Sequence, residues 1–367
     1  MRQTTSGNFT IKYPDEVSFA FNPVLVIVTP CDNVIITAMM GGVSRVLRYE
    51  AINGNVYADL QQIAQLYFAT VQFGLNYSST KQNTNLGSTL SLTIQSTSGA
   101  DTATVSVSTY VVWGAMNPNG KDVFNGYRKQ KYFVGYPFTF GFFTTGQSTL
   151  VIGYNGSPQT SLTIGTNNQK HMVEVNGNQL PQNAMFSNIY DYAGTLQQGY
   201  FDNTFDLTFY MWQNVAQTLL ARIDIESCPD EDTVYLRWID RHGFYCYWLW
   251  NYKNRQRTTA YTQEFGRVEL QEYDYQFGYE RGAGRRVAYE RNNVTPLAVP
   301  LADVEQYKYL LDIISSPCVD MYIGKDTNQN PRWQTVAVQA GTYTQTDKEM
   351  QDFVINLITP SVPVQRL

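Results

Sequence analysis

Charged side chains are scarce in this sequence. Only 16% of its 367 residues are Asp, Glu, Lys or Arg, below the roughly 25% of an average soluble domain. The balance is negative, with a formal net charge of −5. A chain of this charge lacks the sequence-independent attraction to phosphate that non-specific nucleic-acid binding needs, so no direct nucleic-acid partner is expected. Histidine is scarcer still. His171 opens a strand and His242 sits in a turn, so neither a nucleophile–His relay nor a His-based metal site is expected. The four cysteines, Cys31, Cys228, Cys246 and Cys318, are too widely spaced for zinc and too few for a disulfide framework. They read as buried thiols.

Long apolar runs are missing too. The longest, Val24–Val28, falls far short of the ~20 residues that cross a bilayer. The opening MRQTTSGNFTIKYPDE has no apolar signal core, so synthesis in the cytoplasm and no membrane partner are expected. No GxSxG, HExxH, P-loop or GxGxxG occurs, and neither a cofactor nor an enzymatic activity is expected. The RGAGRR segment, with Arg281, Arg285 and Arg286, follows no apolar strand that would place it at a helix terminus. It reads as a solvated loop or as a patch meeting an acidic neighbour. A glycosidase needs two carboxylates, but the tightest acidic cluster, Asp230, Glu231 and Asp232, reads as a solvated turn.

Aromatic residues are plentiful: 14% of the chain, with 27 tyrosines. Surfaces of tyrosine and neutral polar groups are typical of interfaces and adhesive β-structure. The densest stretch is Val234–Asn251, VYLRWIDRHGFYCYWLWN. Val234, Leu236 and Trp238 share one face of a two-residue period, Asp240–Gly243 supply turn residues, and Phe244, Cys246, Trp248 and Trp250 resume the alternation. This predicts a β-hairpin that packs on one face and presents tyrosines on the other. The candidate interface residues are therefore Tyr235, Trp238, Tyr245, Tyr247, Trp248 and Trp250, with Arg281, Arg285 and Arg286. Exposed aromatics also stack on sugar rings. Host-glycan binding through the loops Tyr190–Tyr200 and Tyr273–Arg286 is the rival reading, with Trp250 and Tyr279 as its contacts and Met211 and Trp212 sharing the ambiguity.

The period-2 segments predict a mainly β fold, with two or three β-sandwich-like domains and two short helices. Residues 1–115 form a β-rich domain with one helix, in which Asp59 caps a stripe of Leu60, Ile63, Ala64 and Tyr67. Val24–Val28 suits a strand buried on both faces. Leu90, Leu92 and Ile94 are expected to face Val105, Val107, Val111 and Trp113 across a turn at Ser98–Gly99. Residues 116–225 form a middle sandwich-like domain with strands near 138–143, 150–154, 162–164, 171–175, 205–211 and 219–225. Residues 226–367 hold the aromatic hairpin, a helix over Asp303–Ile314 and strands near 319–323, 333–338 and 353–358. Arms such as Met1–Tyr13 and Pro360–Leu367 suit strand addition to a neighbour.

Several segments together resemble a known group. They are VSFAFNP at Val17–Pro23, STYVVWGAMNPNGKD with YFVGYPFTF, IDIESC ahead of YLRWIDRHGFYCYW, and YLLDIISSPCVDMYI leading to WQTVAVQ. The resemblance is to tail-associated virion proteins of tailed bacteriophages and prophages of Bacteroidota, and it spans nearly the whole chain. Its most specific residues are Tyr235, Leu236, Trp238, Gly243, Tyr247 and Trp248 in the hairpin, with Ser316, Pro317, Val319 and Trp333 near the end. Asp240–Phe244 depart from the Asn and paired Gly of those relatives. The resemblance implies a virion structural component of the distal tail or baseplate, assembled as a ring with other copies of itself and with other tail proteins.

Overall fold

The computed structural model describes residues 1–71, 74–117, 123–133, 135–154, 157–166, 169–177, 205–213, 216–226, 233–252, 258–260, 264–265, 273–274, 278–279, 285–286, 290–292, 294–302, 308–339, 351–359 and 362–363. The fold is mainly β with two short helices. It forms two compact units, Met1–Cys228 with Ile239–Tyr247, and Pro229–Trp238 with Trp248–Leu367.

The first unit opens with β1 (Arg2–Ser6), β2 (Phe9–Tyr13), β3 (Val17–Phe19), β4 (Leu25–Thr29), β5 (Asn33–Met40), β6 (Val43–Glu50) and β7 (Val56–Asp59). After α1 (Gln61–Ala69) come β8 (Lys81–Asn83), β9 (Gly87–Ser98) and β10 (Asp101–Val112). Strands pair in the orders β1-β2-β4-β7 and β3-β10-β9-β5-β6. Every second residue turns inward. Phe9, Ile11, Val26, Val28, Val56 and Ala58 of one sheet are buried, as are Val34, Ile36, Ala38, Leu90, Leu92 and Ile94 of the other; these are the two apolar faces of a sandwich.

The expected β9–β10 hairpin is present, with Ile94 opposite Val105 and Leu92 opposite Val107. Two expectations change. Met1–Tyr13 is not a free arm: its β1–β2 hairpin pairs with β4 and buries Phe9 and Ile11. Val24–Val28 is not buried on both faces, since Leu25 and Ile27 are only half-buried between the buried Val24, Val26 and Val28. That alternation belongs to an antiparallel strand with one outward face.

In α1 the Asp59 carboxylate accepts the Gln61 N–H at 2.9 Å and the Val24 N–H at 3.0 Å, with Leu60 as the capping residue. The buried stripe is Leu60, Ala64 and Phe68, and Ile63 and Tyr67 are half-buried. The stripe turns toward Phe68 because its ring lies 4.9 Å from Trp113.

The unit continues with β11 (Arg128–Phe133), β12 (Thr139–Thr144), β13 (Ser148–Tyr154), β14 (Ser157–Ile164), β15 (His171–Asn176), β16 (Phe205–Gln213) and β17 (Ala216–Glu226). These form the sheets β11-β17-β16-β13-β14 and β12-β15-β8. Each strand expected in the middle region is there. Met211 and Trp212 lie in β16, opposite Leu150 and Thr149, and the loop Tyr190–Tyr200 lies outside the described residues.

The aromatic hairpin is β18 (Thr233–Ile239) and β19 (Tyr245–Tyr252). Its turn is built by two residues. Asp240 Oδ1 accepts the backbone N–H groups of His242 and Phe244, both at 2.9 Å, and Gly243 sits at φ 78°, a left-handed conformation natural to glycine. The turn is pinned where the Ala115 N–H donates to the Arg241 carbonyl at 2.6 Å.

In the second unit short strands come first: β20 (Thr258–Ala260), β21 (Glu264–Phe265), β22 (Tyr273–Asp274), β23 (Gly278–Tyr279), β24 (Arg285–Arg286) and β25 (Glu290–Asn292). Then follow β26 (Val294–Ala302), α2 (Tyr309–Asp312), β27 (Val319–Lys325), β28 (Pro331–Val338), β29 (Gln351–Ile358) and β30 (Val362–Pro363). Of the expected helix Asp303–Ile314, only the turn Tyr309–Asp312 is helical among the described residues. The expected tail arm contributes β30, which pairs with β25.

Strands β18-β19-β26-β29-β28-β27 close into a barrel. Register sets Trp238 opposite Val319, Val319 opposite Val336, Val338 opposite Leu357 and Leu297 opposite Ile355. Those residues, with Leu236, Trp250 and Phe353, form the interior.

Candidate functional site

The six aromatic residues predicted as an interface are interior. Trp238 and Trp250 are wholly buried, and Trp248, the most exposed of the six, is 4% exposed. The hairpin is therefore covered on both faces, and no tyrosine face is presented. Physically, a strand whose neighbours supply apolar surface on both sides loses the half-solvated alternation that its sequence suggests.

Each of the six residues has a specific partner. Trp238 Nε1 donates to the Tyr309 carbonyl at 3.1 Å, and their rings stack at 6.0 Å. Trp248 also meets Tyr309, at 6.2 Å, and Trp250 meets Phe353 at 5.7 Å. Tyr235 packs on Trp333 at 6.1 Å. The Tyr245 N–H donates to Glu174 Oε1 at 3.4 Å. Tyr247 brings its hydroxyl within 2.7 Å of Thr139 Oγ1 and 3.0 Å of the Tyr77 hydroxyl. Replacing Tyr247 by Phe leaves those two hydroxyls without it and is expected to cost about 1–2 kcal/mol. Chemical denaturation of the variant checks this, and an unchanged midpoint would show the hydroxyl to be idle.

Burial also removes Trp250 as a sugar-stacking contact. Arg281 lies outside the described residues. Arg285 and Arg286 form β24, opposite Phe265 and Glu264 of β21, so this part of the segment is strand and not loop, with an acidic residue at the register position across from Arg286.

Two features were not anticipated. The first is a buried ionic cluster in the first unit. Glu174 on β15 and Asp240 in the hairpin turn are buried, as is the Arg128 guanidinium. The Arg128 guanidinium lies over the rings of Phe244 at 4.1 Å and Phe140 at 4.7 Å, and it donates to the Gly141 carbonyl. Gly141 has no Cβ because one would fall 2.2 Å from Glu174 Oε1. Burial pushes the Glu174 carboxyl up to about 8, against the opposing pull of Thr139, the Tyr245 N–H and Arg128. Within the cluster the buried Cys246 thiol lies 3.8 Å from Asp240 Oδ2. Among the described residues no group of three His, Cys, Asp or Glu is arranged to hold a metal ion. His171 donates or accepts at Thr166 Oγ1, 2.9 Å away, and His242 stands edge-on to Phe124 at 6.0 Å. No helix among the described residues is long and apolar enough to cross a membrane.

The second feature is an exposed flank of the first sandwich. Met39, Val43, Val46, Ile52 and Tyr57 are all exposed, Ile52 by 74% and Val46 by 58%. They sit on β5, on β7 and on and just beyond β6, which is the outermost strand of its sheet and eight residues long. A long, exposed edge strand is a template for pairing with another chain. The signal was present in the sequence. Gly41–Gly42 separates two alternating apolar runs, and both glycines have positive φ, 57° and 82°, the pattern of a two-residue hairpin turn.

No family model and no curated protein matches this chain. Similar solved structures include a chimeric titin Z1Z2 functionalized with a KLER exogenous peptide from decorin, with 11% identity over 60% of this chain and 97% of that one, at a TM-score of 0.16. A chimeric titin Z1Z2-Z1Z2 tandem functionalized with a GRGDS exogenous peptide from fibronectin shares 7% identity over 60% of this chain and 100% of its own, TM-score 0.16. A protein of unknown function from Porphyromonas gingivalis W83 shares 10% identity over 61% and 100%, TM-score 0.14. Likeness at this level carries no argument about function.

Proposed function

We propose that this chain is a non-enzymatic structural component of a phage tail or baseplate, forming ring-type contacts with other copies and connecting tail parts. The observation that carries the reading is the sequence resemblance to tail-associated virion proteins, spread from Val17 to Gln339. The exposed apolar flank of the first sandwich supports it in kind, since a subunit built into a larger body needs weakly charged contact surface and open strand edges. In this reading the aromatic hairpin stiffens each subunit from within, and contacts between subunits fall to the exposed edges.

The test is biochemical and direct. Tailed particles purified from a host carrying the gene are analysed by mass spectrometry, and particles lacking the gene are examined by negative-stain microscopy. The chain is expected in the tail fraction at several copies per particle, with tail assembly lost on deletion. Intact, infectious particles without the protein would end the proposal.

A further inference from the structure

The free edge of β6 is complementary to itself. The Gly41–Gly42 turn closes on the Met40–Val43 pair, and the Ala51 N–H donates to the Asp32 carbonyl at 2.8 Å. Both facts aim the backbone groups of odd-numbered β6 residues at β5. The even-numbered residues, Arg48 and Glu50 among them, therefore turn N–H and C=O toward solvent. Two identical antiparallel strands in one sheet, related by a two-fold axis, bring only residues of like parity opposite each other, because partners must project from the same face.

One such register matches both charge and polarity. Centred on Tyr49, it sets Arg48 of each copy opposite Glu50 of the other, and both are hydrogen-bonding positions. Leu47 then faces Ala51, and the pairing ends there, because the Ile52 N–H and C=O are bonded to Asn55. Centring the pairing on Arg48 brings two guanidiniums together, and centring it on Leu47 leaves Glu50 facing Ser44. Arg48 and Glu50 are exposed, and neither has an ion-pair partner within the chain among the described residues. Arginine on an edge strand ordinarily deters pairing; Glu50, two residues on, converts that repulsion into attraction for an identical strand.

We infer that the chain pairs with a second copy of itself along β6, in the antiparallel register centred on Tyr49, so that the two five-stranded sheets become one continuous sheet. The contact is isologous: the same segment serves both copies. It names one contact between copies of the kind the tail reading calls for, and it is tested on the isolated chain, so its failure is distinct from a failure of the particle test. An edge-to-edge contact lies at the small end of the interface range, so the dimer forms at high protein concentration.

Sedimentation equilibrium of the full chain, from about 1 µM to about 1 mM, tests this. Wild type is expected to pass from monomer to dimer. R48E and E50R each place like charges opposite at both symmetry-related positions and are expected to weaken dimerisation about tenfold or more. An equimolar mixture of R48E with E50R restores opposite charges across the pair, as does the double variant R48E/E50R, and both are expected to recover dimerisation. Both side chains are exposed, so the variants' circular dichroism and melting should match wild type. Monomeric wild type throughout the range, single variants that still dimerise, or a mixture that fails to recover would each overturn the inference.

Discussion

Replacing Asp320 by Ala is expected to destabilise the second unit by about 3–5 kcal/mol, the cost of leaving a buried charge without its partner. Asp320 on β27 and Arg237 on β18 lie directly opposite, each 5% exposed. Arg237 Nε and Nη2 reach Asp320 Oδ2 at 3.0 and 2.9 Å. The other carboxylate oxygen accepts the Thr335 hydroxyl at 2.9 Å, and the Cys318 thiol lies 3.7 Å from Oδ2. The Trp333 ring covers the guanidinium at 4.3 Å.

Register places this group on the face of the barrel wall opposite the apolar interior, so removing Asp320 opens no cavity among the core rings. The loss is electrostatic. It follows that R237M/D320L, which removes both charges and keeps volume, should recover most of the stability lost by D320A. Urea unfolding followed by tryptophan fluorescence measures both. A D320A variant within about 1 kcal/mol of wild type would mean that water reaches the pair and screens it.

Stability of the first unit is expected to fall as pH rises from about 5 to about 8, and E174Q should abolish that fall. Glu174 titrates near the ordinary 4.5 in the unfolded chain and at about 8 when folded, with burial as the main cause. Between those values the folded state holds a proton that the unfolded state has released. Stability therefore decreases with pH at about 1.4 kcal/mol per unit, on the order of 4 kcal/mol across the window. The direction is that of a raised carboxyl: its contribution is complete below pH 4.5 and is gone above 8. Arg128 opposes the shift and Asp240 adds to it, so the group titrates within a cluster and the slope is shared. Glutamine keeps an acceptor for the Tyr245 N–H and has no proton to lose. Denaturant midpoints at pH 5, 7 and 9 should slope for wild type and lie flat for E174Q. Parallel slopes would assign the pH dependence to other groups.

Much of the strand content was legible in the sequence because it rests on local alternation. Leu90, Leu92 and Ile94 against Val105 and Val107 read as a hairpin and form one. Val234–Trp238 and Phe244–Trp250 do likewise, around a turn that Asp240 and Gly243 specify through their own side-chain and backbone chemistry. The candidate site was not legible in the same way. Tyr235, Tyr245 and Tyr247 alternate as outward residues should, yet they are buried, because what covers a strand's second face comes from segments far away: Phe138 and Thr139 over Tyr247, Trp333 over Tyr235. The Arg128–Glu174–Asp240 cluster was invisible for the same reason, its members lying on three elements separated by more than forty residues each.

Two-residue periodicity and local turn residues determined by themselves that this chain is built of strands, and where hairpins such as β9–β10 and β18–β19 close. Tertiary structure alone decided which faces meet water. It sealed the aromatic hairpin, enclosed the Arg237–Asp320 pair, and left β6 as an open edge with Val46 and Ile52 exposed. The physical reason is that strand formation depends on neighbours a few residues away, whereas burial depends on which distant sheet arrives to cover them.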